Sequence, residues 1–174
     1  MADVLGKFEA ATTSEERIKF LVDLGIALSA ERNRDRLLET ILLGAKQLTL
    51  ADGGTLYLRN DDDGLRFAIM RTDSLNIAMG GTTGKPIPFP PLMMYDPDSC
   101  EPNHNNVATH CALGGETVNI PDAYESDQFD FSGTKKFDAG TGYRSQSFLT
   151  VPLKNHEDDV IGVLQLLNAR DPKT

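Results

Sequence analysis

Four small polar residues cluster before an apolar segment near the end of the chain. The segment "KKFDAGTGYRSQSFLTVP" carries Asp138, Thr141, Ser145 and Ser147 and ends in the apolar residues "FLTVP". Side chains of these types hydrogen-bond the backbone in turns, and they also supply the few polar contacts of a small-molecule pocket. The pattern alone leaves both interpretations open.

One amide interrupts the last apolar segment, "VIGVLQLLN". Alternate residues of a strand point to opposite faces, which aligns Gln165 with Val163 and Leu167. A buried amide without a partner costs roughly 1–3 kcal/mol. We therefore predict a hydrogen-bond partner for Gln165, which could be a water, a loop carbonyl or a ligand.

The same alternation assigns faces to residues in two other segments that are predicted to be strands. In "TLYLR" it places Leu56 and Leu58 on one face and Thr55 and Tyr57 on the other. In "SQSFLTV" it places Ser145 on the same face as Leu149. We assign the Leu56 face to the helices, so that Thr55 and Gln165 mark the second face of the sheet.

Catalytic and metal-binding signatures are weak in this sequence. We find no nucleophilic elbow and no phosphate-binding glycine motif. The segment "CEPNHNNVATHC" brings together two cysteines and two histidines (Cys100, His104, His110 and Cys111). It lacks the paired spacing of structural zinc sites, so ordinary helix and loop residues are favoured over metal ligands.

The elements that must position these residues follow from periodicity and turn residues. "TTSEERIKFLVDLGIALSA" has Thr13 and Glu16 at capping-box spacing, and Ile18, Leu21 and Val22 then recur at helical intervals. "ERNRDRLLETILLGAKQLTL" predicts a second helix. These two helices could form an interface or cover a sheet.

The remainder predicts an antiparallel sheet. "ADGGTLYLRNDDDGLRFAIMRT" is typical of a hairpin, and the segment from Gly80 to Asn103 predicts a long loop or lid. "NNVATHCALGGE" predicts a short helix, and "TVNIPDAY" a strand and turn. "ESDQFDFSGTKKFDAGTGY" predicts a loop with one helical turn, before two closing strands. The order indicates the α+β class.

Bulk composition narrows the function classes. The 174 residues suit one domain, and the net charge of −9 argues against nucleic-acid binding. We find no apolar run long enough for a membrane span and no signal peptide. Two cysteines are too few for a disulfide scaffold. We expect a cytoplasmic protein with a tail at 1–12, a domain at 13–170 and the start of a linker at 171–174.

Several stretches together resemble a known family. "VNIPDAY", "FDAGTGYRSQSFLTVPLKNHEDDVIGVLQLLNA" and the two leading helices resemble a GAF domain. The likeness is to the cyclic-nucleotide-binding type of phosphodiesterases and adenylyl cyclases. "TDSLNIAMGGTTGKPIPFPP" is similar to GAF modules attached to bacterial HD-type phosphohydrolases. The resemblance implies a PAS-related, six-stranded antiparallel sheet with helices packed on one face and a ligand pocket on the other.

It also implies ligand-binding positions, without catalytic or metal-binding residues. Those positions are Thr55, Val107, Ala108, Asp138, Thr141, Ser145 and Gln165. Backbone groups at Val107 and Ala108 would hold a cyclic phosphate. An aromatic residue, Phe129, Phe131 or Phe137, would stack on the base. Thr109 stands where relatives often carry glycine, which would crowd the phosphate.

The implied function is a regulatory sensory module of a larger signalling protein. It would bind cyclic AMP or cyclic GMP, need no cofactor, and control an attached phosphohydrolase or cyclase domain. The expected partners are that small molecule and a second copy held through the N-terminal helices. The alternatives are a dimerisation scaffold with an empty pocket and, in a third class, a redox enzyme using Cys100 or Cys111.

Overall fold

A computed structural model describes residues 13–170 of the chain. The predicted tail, 1–12, and the predicted linker, 171–174, lie outside the described residues. The helices are α1 (Ser14–Ala30), α2 (Arg34–Thr49), α3 (Val107–Gly114) and α4 (Ser132–Thr141). The strands are β1 (Ala51–Arg59), β2 (Gly64–Thr72), β3 (Ile77–Gly80), β4 (Leu92–Met93), β5 (Val118–Ile120), β6 (Phe148–Lys154) and β7 (Val160–Ala169).

All seven strands belong to one antiparallel sheet. Its order is β3-β2-β1-β7-β6-β5, and the two-residue β4 pairs with the start of β2. The first and last long strands are therefore neighbours at the centre, with Thr55 opposite Gln165. The predicted α+β class and six-stranded sheet are confirmed, with β4 as a short addition at the edge.

Helix α2 covers one face of the sheet. Leu42 packs there with Leu56, Leu58 and Leu164 in a buried apolar cluster. Gly54 lets the helix approach closely, because a Cβ at this position would lie 2.7 Å from Leu42 Cδ1. The assignment of Leu56 and Leu58 to the helix-covered face is thus confirmed.

Helix α1 packs only part of its surface against the domain. Its capping box forms, since the Glu16 amide donates to Thr13 Oγ1 and the Thr13 amide donates to the Glu16 carboxylate. Phe20 and Leu24 are its buried side chains. Of the apolar residues predicted to recur on this helix, Leu28 packs against Phe20 and Leu24, whereas Ile18 is 62% and Val22 56% exposed, as is the neighbouring Ile26 at 64%. Of the two predicted roles, a sheet cover or an interface, the outward residues suit the interface.

The opposite face of the sheet is covered in part by α3. Cys111 and Ala108 of this helix pack with Tyr57 and Val163 in a second buried cluster. Helix α2 thus lies on one face, with α1 packed against α2, whereas a short helix and the predicted lid lie on the other face. No helix within residues 13–170 is long and apolar enough to cross a bilayer.

Besides the short β4, strand β3 and helix α4 differ from the prediction. Strand β3 was not predicted, because "NIAMG" is short and carries little alternation; it pairs with the end of β2. Helix α4 has 10 residues where one turn was expected, since its glycines and lysine pair obscure the helical period. Gly80 ends β3 with φ 71°, and a Cβ there would lie 2.1 Å from the Ala68 carbonyl oxygen.

The segment after Gly80 is mostly loop, as predicted. A 3₁₀ turn at Gly81–Thr83 and strand β4 interrupt it. The buried guanidinium of Arg71 and the hydroxyl of Thr82 both donate to the carboxylate of Glu39 on α2. One end of the loop is therefore fastened to the helix layer.

Candidate functional site

A cavity of about 830 Å³ lies on the sheet face opposite α1 and α2. Its lining comes from β1, β2 and β7, from the loop before α3, and from α4. Ligand pockets commonly have volumes of about 300–1,000 Å³. The cavity is therefore large enough for a small molecule.

A row of polar side chains crosses the floor of this cavity. Thr55 on β1, Gln165 on β7 and Thr150 on β6 stand opposite one another in the strand registers. Thr55 and Gln165 line the cavity, whereas Thr150 is fully buried. The regular pairing of three strands is what brings these residues together across about 100 positions of sequence.

Gln165 has the partners that the sequence required, but they are side chains. Its Nε2 donates to Thr150 Oγ1 at 3.2 Å, and its Oε1 accepts from the Tyr57 hydroxyl at 3.3 Å. An amide offers two donor hydrogens and two acceptor lone pairs. One donor and one acceptor position of Gln165 therefore remain for another group in the cavity.

Aromatic rings form the walls on either side of this floor. Tyr57 and Phe67 have centroids 4.8 Å apart, and Phe67 and Phe89 are 5.4 Å apart. On the other side Phe131 contacts Phe148 at 5.4 Å. The cavity thus combines apolar, ring-lined walls with an amide and hydroxyl floor.

The three stacking candidates separate in the structure. Phe131 and Phe137 line the cavity, whereas Phe129 is not among the lining residues. The ring of Phe129 instead meets that of His110 edge-on, at 5.1 Å. Of the three, only Phe131 and Phe137 are placed to meet a bound molecule.

The N-terminus of α3 meets the cavity at Val107, but Ala108 lies in the core behind it. The side-chain oxygen of Asn106 accepts hydrogen bonds from the Ala108 and Thr109 amides at 2.9 and 3.3 Å. These amides are thus already satisfied. Thr109 is fully buried and outside the lining, with its hydroxyl donating to the Asn103 carbonyl at 2.6 Å.

Asp138 lies behind the cavity wall and positions Ser145. The carboxylate, 3% exposed, accepts from the Ser145 amide and hydroxyl at 2.7 and 2.8 Å, and from the Tyr124 hydroxyl at 2.6 Å. Ser145 itself lines the cavity. Within this segment Asp138 thus makes supporting contacts, whereas Ser145 belongs to the cavity lining.

Thr141 lies apart from this arrangement. It is exposed on the last turn of α4, and its hydroxyl donates to the Phe137 carbonyl at 2.9 Å. Strand alternation also misplaced Ser145, because β6 begins only at Phe148. Leu149 packs against the helix-side cluster, whereas Ser145 lines the cavity on the opposite face.

A polar network that the sequence did not reveal joins the cavity wall to the end of β7. The buried carboxylate of Asp52 accepts from the Tyr143 hydroxyl at 2.8 Å, the Ser74 hydroxyl at 2.6 Å and Arg170 Nη2 at 3.0 Å. Tyr143 lines both the large cavity and a smaller polar one of about 590 Å³ beside this network. Tyr143 and Arg170 lie 91 and 118 positions from Asp52, and even Ser74 lies 22 positions away, so local pattern carried no signal of their contact.

Burial and hydrogen bonding act in opposite directions on Asp52. Burial by itself would raise the pKa of Asp52, but hydrogen bonds from Ser74 and Tyr143, and the charge of Arg170, outweigh it and lower that pKa. Burial and the hydrogen bond to Asp52 raise the pKa of Tyr143. The pair is therefore a phenol donating to a carboxylate at neutral pH.

Of the four residues of the Cys100–Cys111 segment considered as metal ligands, only the two histidines meet. His104 and His110 face each other with 3.0 Å between their Nδ1 atoms, whereas Cys111 is buried in the core. Burial raises the pKa of Cys111 to about 11, which keeps the thiol protonated. Across residues 13–170, no three His, Cys, Asp or Glu side chains gather as a metal site.

An antiparallel sheet with two helices on one face and a loop-covered, ring-lined cavity on the other defines a ligand-pocket domain of the α+β class. Residues 33–174 match the family model of the GAF domain. The chain belongs to the GAF domain family.

Curated relatives match over part of the chain. A segment of 62 residues, 36% of this chain, is 45% identical to the dual 3′,5′-cyclic-AMP and -GMP phosphodiesterase 11 of Drosophila melanogaster. A segment of 59 residues is 42% identical to phosphodiesterase 11A of Takifugu rubripes. The segments span 4% and 6% of those proteins.

Solved structures share the fold at low identity. The GAF domain of a Coxiella burnetii phosphoenolpyruvate-protein phosphotransferase has a TM-score of 0.62 at 15% identity, over 88% of this chain and 77% of that one. The corresponding Acinetobacter domain has a TM-score of 0.61 at 14% identity, over 91% and 80%. At these identities the likeness concerns the fold alone.

Proposed function

We propose that this domain is the regulatory module of a larger cytoplasmic signalling protein, and that its cavity binds cyclic AMP or cyclic GMP. The observation that carries the proposal is the cavity itself, with a Thr55–Gln165 floor between aromatic walls. Free amide and hydroxyl groups can hydrogen-bond a purine or a ribose, and the rings can stack on a base. The similarity to segments of dual cyclic-nucleotide phosphodiesterases supports this choice of ligand.

The proposed output is an attached phosphohydrolase, of the HD type, or a nucleotide cyclase. A ligand closing the loop from Gly80 to Asn103 would act on Glu39 of α2 through Arg71 and Thr82. A ligand changes an equilibrium only by its difference in affinity for the two states. Here the two states would differ in the position of the loop relative to α2, and the ligand would favour the state in which the loop is closed.

Thermal unfolding of the full chain with each cyclic nucleotide tests this proposal. Ligand at 100 times its dissociation constant stabilises a folded protein by about 2.7 kcal/mol. A matched pair of variants locates the site: Thr55→Val removes a cavity hydroxyl, and Thr141→Val removes an exposed one. We expect Thr55→Val to weaken binding and Thr141→Val to leave it unchanged. A ligand-induced shift that Thr141→Val reduces and Thr55→Val does not would refute this site.

A second candidate function is a dimerisation scaffold with an unused pocket. The outward stripe of α1 (Ile18, Leu21, Val22 and Ile26) favours it, because neighbouring exposed apolar residues commonly mark an interface. We propose that two copies pair through this stripe, which also suits the ligand-binding module. Absence of any melting shift at millimolar cyclic nucleotide would favour the scaffold alone.

Sedimentation of the full chain tests the pairing. Val22→Lys places a charge in the stripe and should convert a dimer into a monomer. Lys136→Ala alters an exposed residue of α4, outside α1 and its stripe, and should leave the dimer intact. A monomeric wild-type chain at high protein concentration would refute the pairing.

A further inference from the structure

The charged residues that line the cavity are all acidic. Asp96, Glu101 and Asp130 belong to the lining, and no Lys, Arg or His among the described residues does. We propose that the cavity selects its ligand by charge: it admits a neutral nucleoside or a cyclic monophosphate and disfavours a linear 5′-nucleotide. This selection rests on the proposed nucleotide-binding function and specifies its ligand class.

The three carboxylates come from two separate segments that meet at the cavity. Asp96 and Glu101 belong to one turn, closed by the hydrogen bond from the Asp96 amide to the Glu101 carbonyl at 2.8 Å. Asp130 precedes α4, and its amide donates to the Asn105 carbonyl at 2.7 Å. All three are exposed lining residues, which places them where the cavity meets solvent.

Two of these carboxylates are held in the ionised form by local hydrogen bonds. The amides of Ser99 and Asp98 donate to the Asp96 carboxylate at 2.8 and 2.9 Å and lower the pKa of Asp96. The hydroxyl and amide of Ser132 likewise lower the pKa of Asp130. Asp96 and Asp130 are therefore ionised at neutral pH, and together with Glu101 they form an acidic rim where the cavity meets solvent.

The positive side chains that approach this end of the cavity stay outside its lining. Lys135 Nζ lies 5.4 Å and Arg144 Cζ 4.1 Å from the centroid of the Tyr124 ring, and neither residue lines the cavity. The first turn of α3 would be a natural anion site, but Asn106 already accepts from its Ala108 and Thr109 amides. A second negative charge on a ligand would therefore meet no positive side chain in the lining. The positive groups that remain nearby are Lys135, whose charge helps to lower the pKa of Asp130, and the first turn of α4, where Asp130 itself accepts from the Ser132 amide.

The size of the effect follows from Coulomb's law. One additional charge about 8 Å from each of three carboxylates, at the dielectric constant of water, weakens binding roughly tenfold at low salt. The Debye length of about 8 Å at physiological ionic strength reduces this to a few-fold. Charge selection thus has a signature, dependence on salt, that steric selection lacks.

Calorimetric titration of the full chain with adenosine, cyclic AMP and 5′-AMP, at low and at high salt, tests the proposal, and the guanine series serves as a parallel. We expect 5′-AMP to bind roughly tenfold more weakly than cyclic AMP at low salt. The difference in affinity between the two nucleotides should become smaller at high salt. A triple variant should reduce this difference in affinity at low salt; it combines Asp96→Asn, Glu101→Gln and Asp130→Asn. Glu125→Gln, exposed and outside the lining, is the matched control.

The outcomes separate the two proposals. Equal affinity for cyclic AMP and 5′-AMP, or a preference that neither salt nor the triple substitution changes, overturns charge selection while leaving nucleotide binding in place. Failure of every nucleoside and nucleotide to bind refutes the proposed function and charge selection with it. A difference in affinity that both salt and the triple substitution reduce supports charge selection.

Discussion

Replacement of Asp138 tests whether this carboxylate positions Ser145 or contacts a ligand. Asp138→Ala removes three acceptor contacts, to the Ser145 amide, the Ser145 hydroxyl and the Tyr124 hydroxyl. The hydroxyls can turn to other partners, but the amide of Ser145, a residue 2% exposed, is left buried without an acceptor. Hydrogen bonds to charged groups contribute about 1.5–3 kcal/mol each, and an unsatisfied buried donor costs about 1–3 kcal/mol.

We therefore expect Asp138→Ala to lower the free energy of unfolding by about 3–5 kcal/mol. Asp138→Asn should cost only about 1 kcal/mol, because its amide oxygen can accept from the Ser145 amide while its NH₂ donates to the Ser145 hydroxyl. Urea unfolding at constant m-value measures both. For a domain of this length, the alanine variant should also melt roughly 10 °C lower.

The contrast between the two variants is the decisive result. Tyr124→Phe is a control that removes one of the three contacts and should cost about 1 kcal/mol. Equal stability of Asp138→Ala and wild type would refute the positioning role. So would an asparagine variant as unstable as the alanine variant, since the asparagine oxygen still offers the Ser145 amide an acceptor.

Two further predictions concern packing and pH. Gly54→Ala should lower the free energy of unfolding by about 1–3 kcal/mol, because its Cβ would lie 2.7 Å from Leu42 Cδ1 in the core. The control Gly25→Ala, with nothing within 4 Å of the new Cβ, should stabilise α1 by up to about 1 kcal/mol. Equal urea midpoints for the two variants would contradict the close approach of α2 to the sheet. The pKa of Asp52 is lower in the folded than in the unfolded chain, so its stabilisation is present above the unfolded pKa of about 3.9 and is lost as pH falls through the folded pKa. In the Asp52→Asn variant, the free energy of unfolding should therefore fall less steeply below about pH 4 than in wild type. Urea midpoints measured at several pH values test this, and an equally steep fall in the variant would contradict this role of Asp52.

Local pattern determined the α+β class, the two leading helices, the hairpin and the two closing strands. Helical and strand periods are properties of neighbouring residues, and the Thr13–Glu16 cap and the Leu56–Leu58 face depended on nothing more distant. Thr55 and Gln165 were also assigned to one face from alternation alone, and they do line one cavity. The residue pattern had already singled out Ser145, and the resemblance to a family added Val107 at that cavity.

Tertiary structure alone decided which polar groups face the cavity and which support it. Asp138 and Ser145 are seven positions apart, yet the turn between α4 and β6 sends one behind the wall and the other into it. The Asp52 network and the acidic rim join residues far apart in sequence, since long-range pairing of strands and loops creates contacts that no local period encodes. Likewise, periodicity identified the apolar stripe of α1, but only packing of Phe20 and Leu24 against the domain left that stripe facing outward.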